Sequence, residues 1–398
     1  MRTATTAGMT FGLSAALVAA AGAAWAKEIT ADTPAAIKAA IAAAKPGDTV
    51  VMKPGDYDMA DRVNVNVSGE TDKPITIRCA GEKGHAVWRT RGGNRCCSIG
   101  GAHVVFIGIH FAGDAKGSDD VVFLQPSADD LRFTDCKISG SGMFGVKTAR
   151  SRETAVDDFV FEHCEVFDIA STGFDMVCGD RCVLRGNFIH DYGKAGGSGT
   201  HYGIFMKGGG RHGIIEGNVV DGGNRGGVLV GISFGGGLTG AQWLPLVDGK
   251  AAPEHEGGIA RNNIVMNVSD DAYYSNNASG CRWYNNLSWN CRTFRRPRSY
   301  PPDPVLVNNL IQGPLRDIAP ESKGNVTEIR KEWFTSPDDG DFRLTATGVA
   351  ALAGKGVPVP ADDNPTDFFG TKRDPTQPVI GPVLPNAKQS TKWMDRRQ

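Results

Sequence analysis

The sequence predicts an all-β fold, a right-handed parallel β-helix of about 22–23 residues per coil with a short N-terminal capping helix. Three observations carry this reading: a recurring apolar-Asn-apolar phrase, the step at which it returns, and the turn residues around it. Arg185-Gly-Asn187-Phe-Ile189, Glu216-Gly-Asn218-Val-Val220, Arg261-Asn-Asn263-Ile-Val265, Tyr284-Asn-Asn286-Leu-Ser288 and Asn308-Asn309-Leu-Ile311 step by 31, 45, 23 and 23 residues from Asn to Asn. The longest step is close to two coils. Two earlier phrases, centred on Cys136 and Cys164, extend the series with Cys at the anchor, stepping 28 and then 23 residues to Asn187. Each unit is too short to bury a face alone, so stacking must supply the core. A leucine-rich repeat of similar period is excluded, because its Leu-x-x-Leu-x-Leu frame and intervening helices are absent. In a parallel β-helix a turn-forming Asn can stack in an internal ladder and share amide hydrogen bonds from coil to coil, and Cys can occupy the same column.

Taken in order, residues 1–26 carry Arg2, an apolar stretch from about Met9 to Ala24, and Ala24-Trp-Ala26, the pattern of a secretory signal peptide with its cleavage site. The mature chain is therefore expected to be exported, periplasmic or secreted, with no membrane insertion. Residues 34–44 place Ile37 and Ile41 four apart in an Ala-rich setting and stop before Pro46-Gly47, which predicts the capping helix. Lys45-Pro-Gly-Asp-Thr-Val-Val51 and Lys53-Pro-Gly-Asp-Tyr57 open the first coil as turn, strand, turn. Later strands are expected over 75–79, 104–111, 131–138, 159–167, 183–189, 214–220, 259–265 and 305–311. Residues 238–256, with Trp243, Pro245 and Pro253, are poor solenoid material and read as a loop thrown out to wall a binding groove. The helix is expected to span 27–330. Residues 331–398 then read as a C-terminal cap strapped along it, the last dozen polar residues being disordered.

The formal net charge of -1 argues against a nucleic-acid partner, and the 52 glycines suit a fold of many tight turns. A local basic run, Arg292-Thr-Phe-Arg295-Arg296-Pro-Arg298, is either a solvated loop or a subsite for an anionic polymer. Nine cysteines leave at least one unpaired; Cys136 and Cys164 suit stacked thiols, while Cys178 with Cys182 and Cys281 with Cys291 are plausible disulfides.

The segment Tyr202-Gly-Ile-Phe-Met-Lys207-Gly-Gly-Gly-Arg211-His212 departs from a purely structural pattern. A Lys ends an apolar strand, three glycines remove bulk beside it, and His201, Tyr202, Arg211 and His212 crowd it. A partly desolvated Lys has a lowered pKa and can act as a base near neutral pH, while a Tyr or Arg can protonate a leaving oxygen. Counting back from the Asn anchors puts Lys207 on one flank with Tyr273, Tyr274 and Asn276. The Gly-led strands Gly145-Val-Lys147 and Gly173-Phe-Asp175 add Lys147 and Asp175 to that flank, a plausible carbohydrate groove.

The N-terminal Ala-Ile-Lys-Ala-Ala-Ile-x3-Lys-Pro-Gly-Asp-Thr-Val-Val, the Gly-Asp-Tyr turn, the Pro74-Ile-Thr-Ile-Arg78 strand and the Lys207 coil with Ile-Ile-Glu-Gly-Asn resemble right-handed β-helix polysaccharide lyases of the chondroitinase B and alginate lyase type. That resemblance implies β-elimination on an acidic polysaccharide or oligosaccharide, with Lys207 at the position of the Lys that abstracts the proton beside the uronate carboxylate. It implies an Arg acid on the next coil, and in some members Ca2+. The next coil reads Val228-Leu-Val-Gly-Ile-Ser-Phe-Gly235, without the family's Leu-Arg-His-Gly pattern, so the acid passes to Arg211, Arg225, Tyr202 or His201. Substrate contacts are expected from Lys147, Asp175, His212, Arg225, Tyr273, Tyr274, Asn276, Arg295, Arg296 and Arg298. Calcium candidates are Glu254, Glu256, Asp270 and Asp271, none of which forms a recognisable calcium loop. The competing readings are a β-helix hydrolase with Asp175 and Glu216 as its carboxylates, an epimerase, and a non-catalytic glycan-binding or surface protein. A monomer is expected.

Overall fold

The computed structural model describes residues 26–81, 85–93, 95–114, 117, 120–193, 199–223, 227–236, 239–298, 300–317 and 322–392. The expected signal peptide, apart from Ala26, and Arg225 lie outside the described residues. The chain forms a right-handed parallel β-helix of three sheets, one of twelve strands and two of nine. Along the longest sheet Val183, Ile214, Ile259, Arg282 and Val305 stand in register, one from each coil.

The strands expected around the anchors are pairs of short strands meeting at a corner, except that 305–311 keeps the strand Val305–Val307 and a single bridge at Leu310. Residues 131–138, for example, divide into Leu131–Thr134 and Lys137–Ser141. The residue before each anchor makes the turn: Asp135, His163, Gly186, Gly217, Asn262, Asn285 and Asn308 all lie at φ between 52° and 62°. Gly, and among the other residues Asn, Asp and His, take this left-handed region most readily. The apolar residues on either side of the corner then point into one core, where Phe106, Phe133 and Phe161 stack with centroids 4.7 and 4.1 Å apart.

The anchors form the expected ladder. Asn187, Asn218, Asn263 and Asn286 each donate from Nδ2 to the Oδ1 of the next Asn at 2.9–3.0 Å, and that oxygen also accepts the backbone N–H of the preceding anchor. Asn309 passes the ladder on to Asn325 at 2.8 Å, a rung hidden in the sequence by its shortened 16-residue step. Cys164 continues the column below Asn187, its N–H donating to Asn187 Oδ1.

The helix Pro34–Ala43, capped by Thr33, covers the first coil with Ile37 and Ile41. At the far end, Trp333, Phe334, Phe342, Leu352, Phe368 and Ile380 pack over Ile264, Leu287 and Leu310 of the last coils. The corner residues Asn262, Asn285 and Asn308 donate outward to carbonyls of Thr366, Gly381 and Val357, tying the C-terminal segment along the helix. Expected disorder over the last dozen residues fails at Thr391, which is 1% exposed and hydrogen-bonded to Gly340 and Phe342. Neither expected disulfide is present: all nine cysteines are free thiols. Cys178, Cys182, Cys281 and Cys291 instead donate to backbone carbonyls at the corners, as small buried polar groups.

Candidate functional site

One nine-stranded sheet, here the front sheet, carries the strands Phe144–Thr148, Thr172–Val177, Thr200–Lys207, Val228–Gly235, Tyr273–Asn276 and Phe294–Arg295 in successive coils. Gly145, Gly173, Gly203 and Gly231 form a column through four of them. A Cβ at these positions would stand 2.4–2.9 Å from a carbonyl oxygen of the next coil, so backbone packing dictates the Gly-led pattern. Past that column the register aligns Lys147, Asp175, Phe205, Ser233, Tyr274 and Arg295.

Lys207 stands two residues beyond Phe205, in register with Val177. Its ammonium lies 4.1 Å over the Phe205 ring and 3.4 Å from Asp175 Oδ1. Lys147 takes the other oxygen of the same carboxylate in a tight ion pair. Only 15% of the Lys207 side chain is exposed. Burial is the largest influence and lowers its pKa; Lys147 lowers it further, while Asp175 and Glu254 pull the other way. Glu254 is buried beneath this corner, where its carboxylate accepts the N–H groups of Thr239 at 2.7 Å and Gly208 at 3.2 Å, and burial raises its pKa.

Tyr202 stacks on Phe205 at 4.0 Å, and with Val230 and Tyr274 the two form an apolar patch on the outside of the sheet. Burial raises the pKa of both tyrosines, so each keeps its phenolic proton. The charges of Arg295 and Arg298 bear on Tyr274 and oppose that rise. On the strand of Tyr274, Asn276 Oδ1, and just before that strand both carboxyl oxygens of Asp271, are buried with no hydrogen-bond partner among the described residues. The Asp271 carboxyl is pushed up to about 6, first by burial and then by Asp270.

Other expected site residues go elsewhere. Arg211 lies past the glycine corner in a separate three-stranded sheet, exposed, with its guanidinium on Asp180 at 2.6 Å. His212 is a left-handed corner residue at φ 58°. His201 pairs through Nδ1 with Ser171 Oγ at 3.0 Å, and burial lowers its pKa, so it is a neutral ring at the opposite end of the strand from Lys207. Tyr273 points into the core and donates to Asn263 O and Leu287 O at 3.1 and 2.6 Å. Arg296 is held by Asp303 and the carbonyl of Asp317. The three glycines 208–210 serve the turn and its packing: Gly208 and Gly209 have φ of 93° and 83°, and a Cβ on Gly210 would meet Gly179 O at 2.0 Å. Phe205, the platform under Lys207, was hidden because an aromatic in an apolar run reads as core.

The two carboxylates of the hydrolase reading are separated. Glu216 sits in the twelve-stranded sheet, bound by Arg185 and Arg261, whereas Asp175 lies on the front sheet. The acidic calcium candidates do not converge either. Glu254 binds backbone amides, Asp270 pairs with Arg292 at 2.7 Å, Asp271 stands alone, and Glu256 is exposed beside Arg211 in register. Among the described residues no three His, Cys, Asp or Glu side chains group where a metal could sit.

Residues 32–229 match the Chondroitinase B family model. No curated protein sequence matches the chain. Among solved structures, pectate lyase Pel9A aligns with a TM-score of 0.58 at 14% identity, over 92% of this chain and 92% of that one. The GH136 lacto-N-biosidase from Eubacterium ramulus aligns with 0.53 at 12%, over 76% and 67%. An alginate lyase from Paenibacillus sp. str. FPU-7 shares 17% identity over 74% and 96%, with a TM-score of 0.43. Likeness at these identities is likeness of fold, which a lyase and a biosidase here share.

Proposed function

We propose that this chain, a β-helix protein of the polysaccharide lyase-like kind, cleaves a uronate-containing polysaccharide by β-elimination, with Lys207 as the base. The observation that carries the reading is the desolvated Lys207 ammonium, set over Phe205 and sharing Asp175 with Lys147. Because Lys147 already balances the carboxylate, Lys207 can give up its proton without leaving Asp175 unpaired. Its neutral amine then takes the proton from the carbon next to the uronate carboxylate. The electron pair of that C–H bond forms the new C=C bond, and the glycosidic C–O bond on the neighbouring carbon breaks.

Tyr202, still protonated and stacked on the same Phe205, is the acid we assign to the leaving oxygen. Arg295 and Arg298 supply positive charge for substrate carboxylates further along the groove. No step is routed through calcium, because among the described residues the acidic side chains do not group into a site for it. The column from Lys147 to Arg295 crosses six strands, so about 24 Å of groove is open to several sugar units. We infer an exported protein that acts as a single chain.

The test is the ultraviolet absorbance of unsaturated uronate on incubating wild type and Lys207→Ala with alginate, polygalacturonate, chondroitin, dermatan and heparan chains. Product with wild type and none with the variant supports the reading. New reducing ends without the absorbance would move the reaction to hydrolysis.

A further inference from the structure

One segment leaves the coil plan beside Lys207. Residues 239–253 depart after Val228–Gly235, form a hairpin from Leu246–Val247 and Lys250–Ala251, and return at the buried Glu254. The root is fixed to the Lys207 corner. Glu254 binds the N–H groups of Gly208 and Thr239, and Pro245 packs so closely on Gly209 that a Cβ there would lie 2.6 Å from Pro245 Cδ. From this root the segment runs back against chain order. Arg152, in the loop after Phe144–Thr148, donates to Gln242 O and Ala241 O at 3.2 and 3.3 Å. The arm therefore passes alongside the coils that carry Lys207, Asp175 and Lys147, a run of about 10 Å.

Its outer surface is apolar and faces water. Trp243, Leu246 and Val247 are 49%, 52% and 54% exposed, and they are three of the five exposed large hydrophobics among the described residues. Trp88, Trp283, Trp289 and Trp333 are all buried, so Trp243 is the one exposed tryptophan among the described residues. A large ring held in water on a tethered arm is a binding surface awaiting its partner. The indole combines a flat apolar face with a polar N–H, which suits the C–H face and hydroxyl rim of a pyranose. Arg152 and Lys250 on and beside the arm complement acidic sugars.

We propose that residues 239–253 are a glycan-binding arm in which the Trp243 ring stacks on a sugar unit of the bound polymer, on the Lys147 side of Lys207. This rests on the reading of the front sheet as the groove for a uronate polymer. The arm sets affinity for long chains and takes no part in bond breaking.

The test uses the Lys207→Ala protein, which holds polymer without consuming it, titrated with alginate, polygalacturonate and dermatan sulfate while acrylamide quenching of tryptophan fluorescence is followed. Bound polymer should shield Trp243 from acrylamide. Adding Trp243→Ala should remove the shielded signal and weaken polymer binding by roughly two- to tenfold, with Trp243→Phe recovering most of the affinity. In the active protein Trp243→Ala should raise KM on polymer by the same factor, leaving kcat and the KM for a disaccharide or trisaccharide within about twofold. Unchanged polymer affinity in Trp243→Ala overturns the proposal, as does a loss confined to kcat. Shielding that depends on protein concentration and persists with no polymer present would overturn it in favour of a second copy of the chain as occupant. Trp243-dependent binding without any unsaturated product would sink the lyase reading and leave the arm standing.

Discussion

The pairing of Lys207 with Asp175 makes two neighbouring substitutions move the pH profile in opposite directions. Asp175→Asn removes the carboxylate 3.4 Å from the ammonium. At an effective dielectric constant of about 20 that contact is worth about 5 kcal/mol, a ceiling of about 3.6 pKa units. Lys147 draws on the same carboxylate, so the expected fall in the Lys207 pKa is about 1–2 units. Lys147→Gln does the reverse. It removes a cation that lowers the Lys207 pKa and leaves Asp175 with Lys207 as its one ammonium partner, raising that pKa by about 0.5–1 unit. Because the base must be deprotonated, the acid limb of kcat/KM should move to lower pH in Asp175→Asn and to higher pH in Lys147→Gln. The assay is the rate of unsaturated product against pH, with thermal melts confirming that both variants fold. Shifts of the same sign, or an acid limb unmoved in both, would refute the assignment of that limb to Lys207.

Tyr202→Phe keeps the ring stack on Phe205 and removes the proton donor, so kcat should fall by roughly 10²–10³-fold with little change in KM. Arg211→Ala, by contrast, should leave kcat within about twofold, because that guanidinium is committed to Asp180; a large loss would restore Arg211 as the acid. Chelation of divalent cations should leave turnover unchanged, measured against a calcium-supplemented control. Asn263→Ala breaks two rungs and a carbonyl contact in the middle of the ladder and should cost about 2–4 kcal/mol in chemical denaturation, more than Asn325→Ala at its end. His110 and His255 are held down to about 4 and about 3 by burial, so the unfolded chain takes up their protons first, from 6.5 downward. The stability they permit is intact above pH 6.5 and is lost as pH falls toward those values, and melting curves from pH 7 to 4 should show the decline.

The Asn series made the coils legible because each anchor is set by backbone chemistry that only a few residue types satisfy. The same logic hid the corners: Asn262-Asn263 reads as part of one strand, although its first Asn turns the chain and its second holds the ladder. Lys207 stood out because it ends an apolar strand beside three glycines and a cluster of polar residues. Its partners Asp175 and Lys147 followed from coil counting, and the register brings them together. Arg211 and His212 misled because nearness in sequence does not survive a corner. Tyr273 misled because adjacent strand residues point to opposite faces, so of the pair Tyr273-Tyr274 only the second reaches the groove.

Each amide in the Asn column donates its side-chain hydrogen bond in one direction, from Asn187 toward Asn325, so the column has a beginning and an end that differ chemically. A new coil bearing Asn at its anchor can enter anywhere in the middle, since it receives and passes on the same bond. At Asn325 the hand-over ends differently: Nδ2 keeps a backbone carbonyl, that of Leu306, but donates to Ser322 Oγ where the other anchors donate to the next Asn. Growth of such a chain by tandem duplication is thereby channelled to interior coils, lengthening the groove by one strand spacing at a time while both termini keep their fittings.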